Sequence, residues 1–127
     1  MLDTSVVIDL GELEPDRLPV EITVSALTLA ELAAGPHATD DVEERARRQD
    51  RLQRAEATFE ALPFDSAAAR ADGRVYAAVV TAGRKAREAR TVELMIAASA
   101  IAEDLPLFTR NPDDFAALGG LLDLVEV

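Results

Sequence analysis

Four acidic residues sit where a carboxylate is least expected. Asp3 closes the short apolar opening Met1-Leu2 and is followed at once by Thr4, Ser5 and another apolar run. Glu31 lies within SALTLAELAAG, among Ala and Leu, with no positive charge near it in sequence. Glu93 lies within TVELMIAASAIA, an otherwise apolar stretch that reads as a largely buried helix, and Asp114 lies in TRNPDDF, just after the run LPLF. An ionised carboxylate in apolar surroundings is costly unless it is paired or bound to a cation, and four brought together would also repel one another. A divalent cation offsets both penalties, and hard ions such as Mg2+ and Mn2+ take carboxylate oxygens and water as ligands. An ion held this way, with open water positions, can orient and polarise a phosphate and activate water for in-line attack. Phosphodiester hydrolysis is the natural reaction of such a site.

Other chemistries find little support. The chain has no cysteine, and its single histidine, His37, stands in a GPH loop with no nucleophile tied to it. No glycine-rich phosphate loop is present. An acidic phospho-receiver domain would want a lysine at the end of a late strand, but the only lysine, Lys85, precedes a helix. Each of the four acids also has a plain structural role open to it. Asp3 could cap a helix starting near Ser5, Glu31 could be a half-exposed helix residue, and Glu93 and Asp114 could be first-turn acids favoured by the helix dipole, as Asp113 could. Two acids just past strands and two more on apolar helices point instead to a shared site.

The elements that must position these residues follow from pattern and punctuation. Short β-prone runs fall at 1–3, 22–25, 62–64, 105–108 and 124–127. Helical patterns fall at 5–11, 27–34, 40–61, 66–82, 91–103 and 112–118, with caps expected at Asp65-Ser66, at Thr91 and at Asn111, and a glycine stop at Gly119-Gly120. Residues 11–19 and 34–41 read as loops. This alternation implies an α/β fold, a mostly parallel central sheet of four to five strands with helices on both faces, spanning 1–127 as one domain. Ligands bind such sheets outside the carboxyl ends of the strands, where Asp3 is placed. With 49% hydrophobic and 29% charged residues the chain is a folding one rather than a disordered one. No apolar run is long enough to cross a bilayer and no basic-then-apolar leader opens the sequence, so a cytoplasmic location, away from membranes, is expected.

The net charge of −11 argues against nonspecific nucleic-acid binding when taken alone. Its distribution says more. Five arginines crowd 45–54, which read equally well as a solvated helix face. The run GRKAREAR places Arg84, Lys85, Arg87 and Arg90 directly before the helix of Glu93, where they could grip the phosphates of a bound strand. The helices within 27–61 then read as a surface for a partner or for a second copy.

LDTS, TLAEL, RTVELMIAASA and TRNPDDF, in this order and spacing over nearly the whole chain, resemble the PIN-domain family, most closely VapC-type toxins of bacterial toxin–antitoxin pairs. The resemblance implies a three-layer α/β/α sandwich and a Mg2+- or Mn2+-dependent endoribonuclease. It makes Asp3, Glu31, Glu93 and Asp114 the metal-binding acidic quartet, Thr4 or Ser5 the hydroxyl that supports the first acid, and Thr109 and Asn111 the polar residues before the last. It also implies a homodimer, an RNA substrate and a cognate VapB-type antitoxin whose C-terminal segment covers the active site. Two features depart from the family pattern. The third acid is usually Asp, whereas Glu93 is one methylene longer, which would lower activity or shift metal preference towards Mn2+. The alternative is therefore a PIN-like binding module that has lost catalytic power at Glu93. The strand before Asp3 is also shorter than is usual in the family.

Overall fold

The computed structural model describes every residue except 86, 89 and 90. Four short strands, β1 (Thr23–Ser25), β2 (Glu60–Leu62), β3 (Leu107–Thr109) and β4 (Leu124–Glu126), pair in parallel as β1 with β2 and β3 with β4. Leu2 joins the two pairs: it bridges Val24 on one side and Phe108 on the other, both in parallel. The spatial order is therefore β2–β1–Leu2–β3–β4. The expected first strand survives as this single bridging residue, held by backbone bonds from Leu2 N–H to the Thr23 carbonyl (2.9 Å), Asp3 N–H to Phe108 (3.0 Å) and Phe108 N–H to Met1 (2.9 Å). The amino group of Met1 donates to the Pro106 carbonyl at 2.8 Å, and burial pushes its pKa down.

This order matters for function. The chain leaves the centre of the sheet towards β1 and β2, then returns to build β3 and β4 on the other side. The direction of strand addition reverses at Leu2, and in open parallel sheets such a reversal opens a crevice at the carboxyl ends of the strands. Asp3 is the next residue.

Among the described residues, five α-helices cover the sheet: α1 (Thr4–Ile8), α2 (Ala26–Ala34), α3 (Val42–Thr58), α4 (Ser66–Thr81) and α5 (Val92–Ala102). Successive side chains of a strand point to opposite faces, and the chain uses both. Met1 and Leu107 pack into one core with Val75 and Val79 of α4 and Leu94 and Ile96 of α5. Leu2, Val24 and Phe108 pack into a second with Val6 and Val7 of α1 and Ala55 of α3. Two cores on two faces make the three-layer sandwich. Helix α5 is buried continuously from Ile96 to Ala100 because its sequence is apolar on every side. Asp3, Ser25, Asp41 and Asp65 each cap a helix by accepting a backbone N–H, an interaction whose loss costs about 1 kcal/mol.

Several boundaries differ from the sequence pattern. The strand expected at 62–64 is Glu60–Leu62, because Pro63 has no N–H to donate to a ladder. Helix α3 is correspondingly shorter than 40–61, starting after its Asp41 cap and ending before Phe59, which packs into the second core. The stretch 5–11 divides into α1 and a 3-10 turn at Leu10–Glu12, and the two loops contain 3-10 turns at Pro15–Arg17 and Gly35–Ala38. Pro112–Leu118 is a 3-10 helix rather than an α-helix, and Gly119 stays right-handed at φ −55°, so no left-handed glycine ends it. The left-handed glycine is Gly83, φ +86°, just after α4, where a side chain would be strained. Neither Thr91 nor Asn111 makes a side-chain cap bond.

Candidate active site

Asp3 stands at the carboxyl end of the central strand position and is only 4% exposed. Its Oδ1 accepts the Ser5 hydroxyl at 2.6 Å and the Val6 N–H at 3.1 Å, so the carboxylate caps α1 and is held in one orientation. Its Oδ2 accepts no hydrogen bond from any described residue. The cap thus uses one oxygen of the carboxylate and leaves the other without a bond from any described residue.

Thr4, the first residue of α1, connects this point to Glu31. Its Oγ1 lies 2.6 Å from Glu31 Oε1 and 3.2 Å from Thr28 Oγ1. A hydroxyl carries one proton; the shorter, charge-assisted bond takes it, leaving Thr4 Oγ1 to accept from Thr28. Thr28, fully buried one turn before Glu31 on α2, had no role in the sequence reading, although its i, i+3 spacing to Glu31 places both on one helix face. Sequence neighbours offer Glu31 no positive charge, and among the described residues the bond it makes is to the Thr4 hydroxyl. Arg48 and Arg51 of α3 line the same cleft as Thr4 and Glu31, about 410 Å³ in volume.

Glu93 and Asp114 meet at a different place. They line one cleft of about 330 Å³ with Arg84, Glu88 and Thr91. Asp114 arrives there from the 3-10 helix that follows β3, and Glu93 from the first turn of α5. Thr109 and Asn111 shape the turn between β3 and that 3-10 helix: Thr109 Oγ1 accepts the Asn111 N–H at 3.0 Å. The side chains of Glu93 and Asp114 are exposed and Glu31 is half-buried. The cost of burying a charge, which singled out these four residues, therefore applies in full to Asp3 alone. Glu93 precedes by one residue the point where α5 becomes buried.

The four acids are thus brought to two neighbourhoods, Asp3 with the Thr4–Glu31 pair and Glu93 with Asp114. Neither Asp3 nor Glu31 lines the Glu93 cleft. Among the described residues, no three carboxylates or imidazoles stand together as a ready-made metal site. The donor chemistry nonetheless suits a hard cation: every candidate ligand is a carboxylate or hydroxyl oxygen, and among the described residues Asp3 leaves one oxygen free at the sheet's switch point.

The basic residues divide. Arg84 faces the cleft of Glu93 and Asp114, while Lys85 and Arg87 are exposed beside it in sequence. Arg90 lies outside the described residues. On α3, Arg47 and Arg48 both bond Glu44 (2.8 and 3.0 Å) and hold its carboxyl below the usual range, while Arg54 pairs with Asp50 and Arg45 bonds the Pro36 and Thr39 carbonyls. Most of the 45–54 arginines are engaged locally, as a solvated helix face would be. Arg110 pairs with Asp9 at 3.0 Å.

A parallel sheet sandwiched between helices, with carboxylates past the ends of its central strands, defines a class of α/β proteins that bind at a switch point. The PIN-domain family model matches residues 1–121, and the chain belongs to that family. Ribonuclease VapC5 of Mycobacterium tuberculosis is 38% identical over 123 residues, covering 94% of this chain and 87% of that protein. The crystal structure of the toxin–antitoxin pair VapBC-5 from Mycobacterium tuberculosis superimposes with a TM-score of 0.83 at 36% identity, covering 99% of this chain and 94% of that one. FitAcB from Neisseria gonorrhoeae matches with a TM-score of 0.75 at 25% identity, over 98% of this chain and 94% of that one.

Proposed function

We propose that this protein is a divalent-cation-dependent endoribonuclease, the toxin of a toxin–antitoxin pair, with Mg2+ or Mn2+ held by Asp3, Glu93 and Asp114 and with Glu31 as the fourth acid. The observation that carries the reading is Asp3: a nearly buried carboxylate at the switch point of a parallel sheet, fixed through Oδ1 and, among the described residues, unbonded at Oδ2. The likeness to ribonuclease VapC5 supports the substrate class. Bound there, a cation would polarise the scissile phosphate and lower the pKa of a bound water.

The chain's own residues supply the rest. Ser5 and the Val6 N–H keep the Asp3 carboxylate from rotating, so its free oxygen is presented without an orienting cost. Thr4, the residue after Asp3, fixes the Glu31 carboxylate. Arg84, with Lys85, Arg87 and Arg90 around it in sequence, contacts the phosphates of the bound strand, which answers how a chain of net charge −11 holds RNA. A VapB-type antitoxin, a second copy of the chain and a cytoplasmic location complete the reading. Among the described residues, no helix is long and apolar enough to cross a membrane.

A second reading rests on Glu93, which stands exposed where the family usually has Asp: the same fold as a binding module with little catalysis. Incubating the purified protein with RNA and Mn2+ separates the two. Cleavage that is abolished by EDTA and by Asp3→Asn supports the ribonuclease, whereas RNA binding with no cleavage in any divalent ion supports the module.

A further inference from the structure

We propose that Arg110 is a positioning residue for the metal site: it fastens the segment that carries Asp114 to the helix that begins at Asp3. This rests on the reading that those two carboxylates serve one cation.

Arg110 follows the last residue of β3 and lies four residues before Asp114. It holds α1 at both ends. Its backbone N–H donates to Ser5 Oγ at 3.1 Å, and the Ser5 hydroxyl donates to Asp3 Oδ1 at 2.6 Å. Its Nη1 donates to Asp9 Oδ2 at 3.0 Å and lies 3.5 Å from Glu12 Oε2. Asp9 is the C-cap of α1, the carbonyl-rich end where a carboxylate is unfavourable and a cation is welcome. A single residue thus bridges the helix whose N-cap is Asp3 to the turn that leads into Asp114, by one bond at the site and another about one helix length away.

Two alternatives fit less well. The guanidinium and its partner Asp9 are 34% and 41% exposed, and ion pairs that open to solvent contribute little to stability, so simple stabilisation does not account for the arrangement. Arg110 also stands between two carboxylates, Asp9 and Glu12, which makes it a poor grip for phosphate compared with Arg84. Because the described acids lie in two neighbourhoods, one cation can join Asp3 and Asp114 only if the segments that carry them are held together, and the Arg110 bonds to Ser5 and Asp9 join those segments.

The test compares wild type, Arg110→Ala and the reversed pair Asp9→Arg/Arg110→Asp. Mn2+ binding is measured by calorimetry on the protein alone, kcat and KM on a single-stranded RNA, and the thermal midpoint without metal. Groups that orient metal ligands typically change affinity or activity by about 10- to 100-fold when removed. Arg110→Ala should therefore weaken Mn2+ binding by about tenfold and lower kcat with KM little changed, while the metal-free midpoint stays near wild type; the reversed pair should recover most of both losses. Wild-type Mn2+ affinity and kcat in Arg110→Ala would overturn the proposal. So would a rise in KM with a flattened salt dependence, which marks a phosphate contact. A folded reversed pair that recovers nothing would overturn it too, and this arm decides the matter if Arg110→Ala does not fold. A wild-type protein that neither binds Mn2+ nor cleaves RNA would instead sink the ribonuclease reading itself.

Discussion

Replacing Asp3 by Asn separates the two oxygens of that residue by their work. Asn is as good an N-cap as Asp, so the Val6 N–H and the Ser5 hydroxyl keep an acceptor at Oδ1. Metal-free stability should then stay within about 1 kcal/mol of wild type. What changes is Oδ2, where a carboxylate oxygen becomes an NH2 group that no cation will take. A ligand that binds only the folded state stabilises it by RT ln(1 + [L]/Kd), about 2.7 kcal/mol at a hundredfold excess over Kd. A chain of 127 residues, at about 2.1 cal/mol/K each, has an unfolding entropy near 0.27 kcal/mol/K. Saturating Mn2+ should accordingly raise the wild-type midpoint by about 10 °C. The Asn variant should start within about 4 °C of wild type without metal and gain under about 3 °C with it. Scanning calorimetry at fixed protein concentration, with and without MnCl2, reads both quantities. Equal stabilisation of wild type and Asp3→Asn by Mn2+ would refute the assignment of Asp3 as a ligand, whatever happens to activity.

Other perturbations probe separate parts of the account. Glu93→Asp shortens the third acid by one methylene and should raise the ratio of Mg2+- to Mn2+-supported cleavage several-fold, because Mg2+ is the stricter about octahedral geometry; a lower ratio would mean Glu93 is not a ligand. Neutralising Arg84, Lys85 and Arg87 together should weaken RNA binding and reduce the slope of log K against log salt by about 2, that is about 0.7 per charge on a single strand. An unchanged slope in filter binding would move the RNA path elsewhere. Ser25→Ala removes the fully buried cap whose Oγ accepts the Leu27 N–H at 3.0 Å, and should cost about 1 kcal/mol, or about 4 °C in the midpoint. No loss in the melting curve would show that water replaces the hydroxyl.

How much of this was legible in the sequence depended on whether the signal was local. Asp3 at the binding edge could be read because an apolar residue pair precedes it and a helix follows, and the order of short strands and helices led directly to a parallel sheet between two helical layers. The caps at Asp41 and Asp65 both stand before regular helical patterns. Strand β2 was displaced because the pattern of α3 runs into it without punctuation, and a three-residue strand is too short to show alternation. The apolar character of α5 as a whole reads as burial around Glu93, yet burial begins only at Leu94. Arg110 with Asp9 was out of reach for a different reason: the partners are 101 residues apart, and nothing local to either marks the other. The same holds for the arginines that line the Glu31 cleft, which come from a different helix.

The central claim is that Asp3 and the acids of the neighbouring cleft serve one divalent cation. Anomalous diffraction from crystals of the wild-type protein grown with Mn2+, collected at the manganese edge, tests it most directly. The account predicts a peak bonded to Asp3 Oδ2 and to a carboxylate oxygen of Asp114 or Glu93, absent in the Asp3→Asn crystal. Manganese found only at other acids, with Asp3 Oδ2 bound to nothing but water, would contradict it.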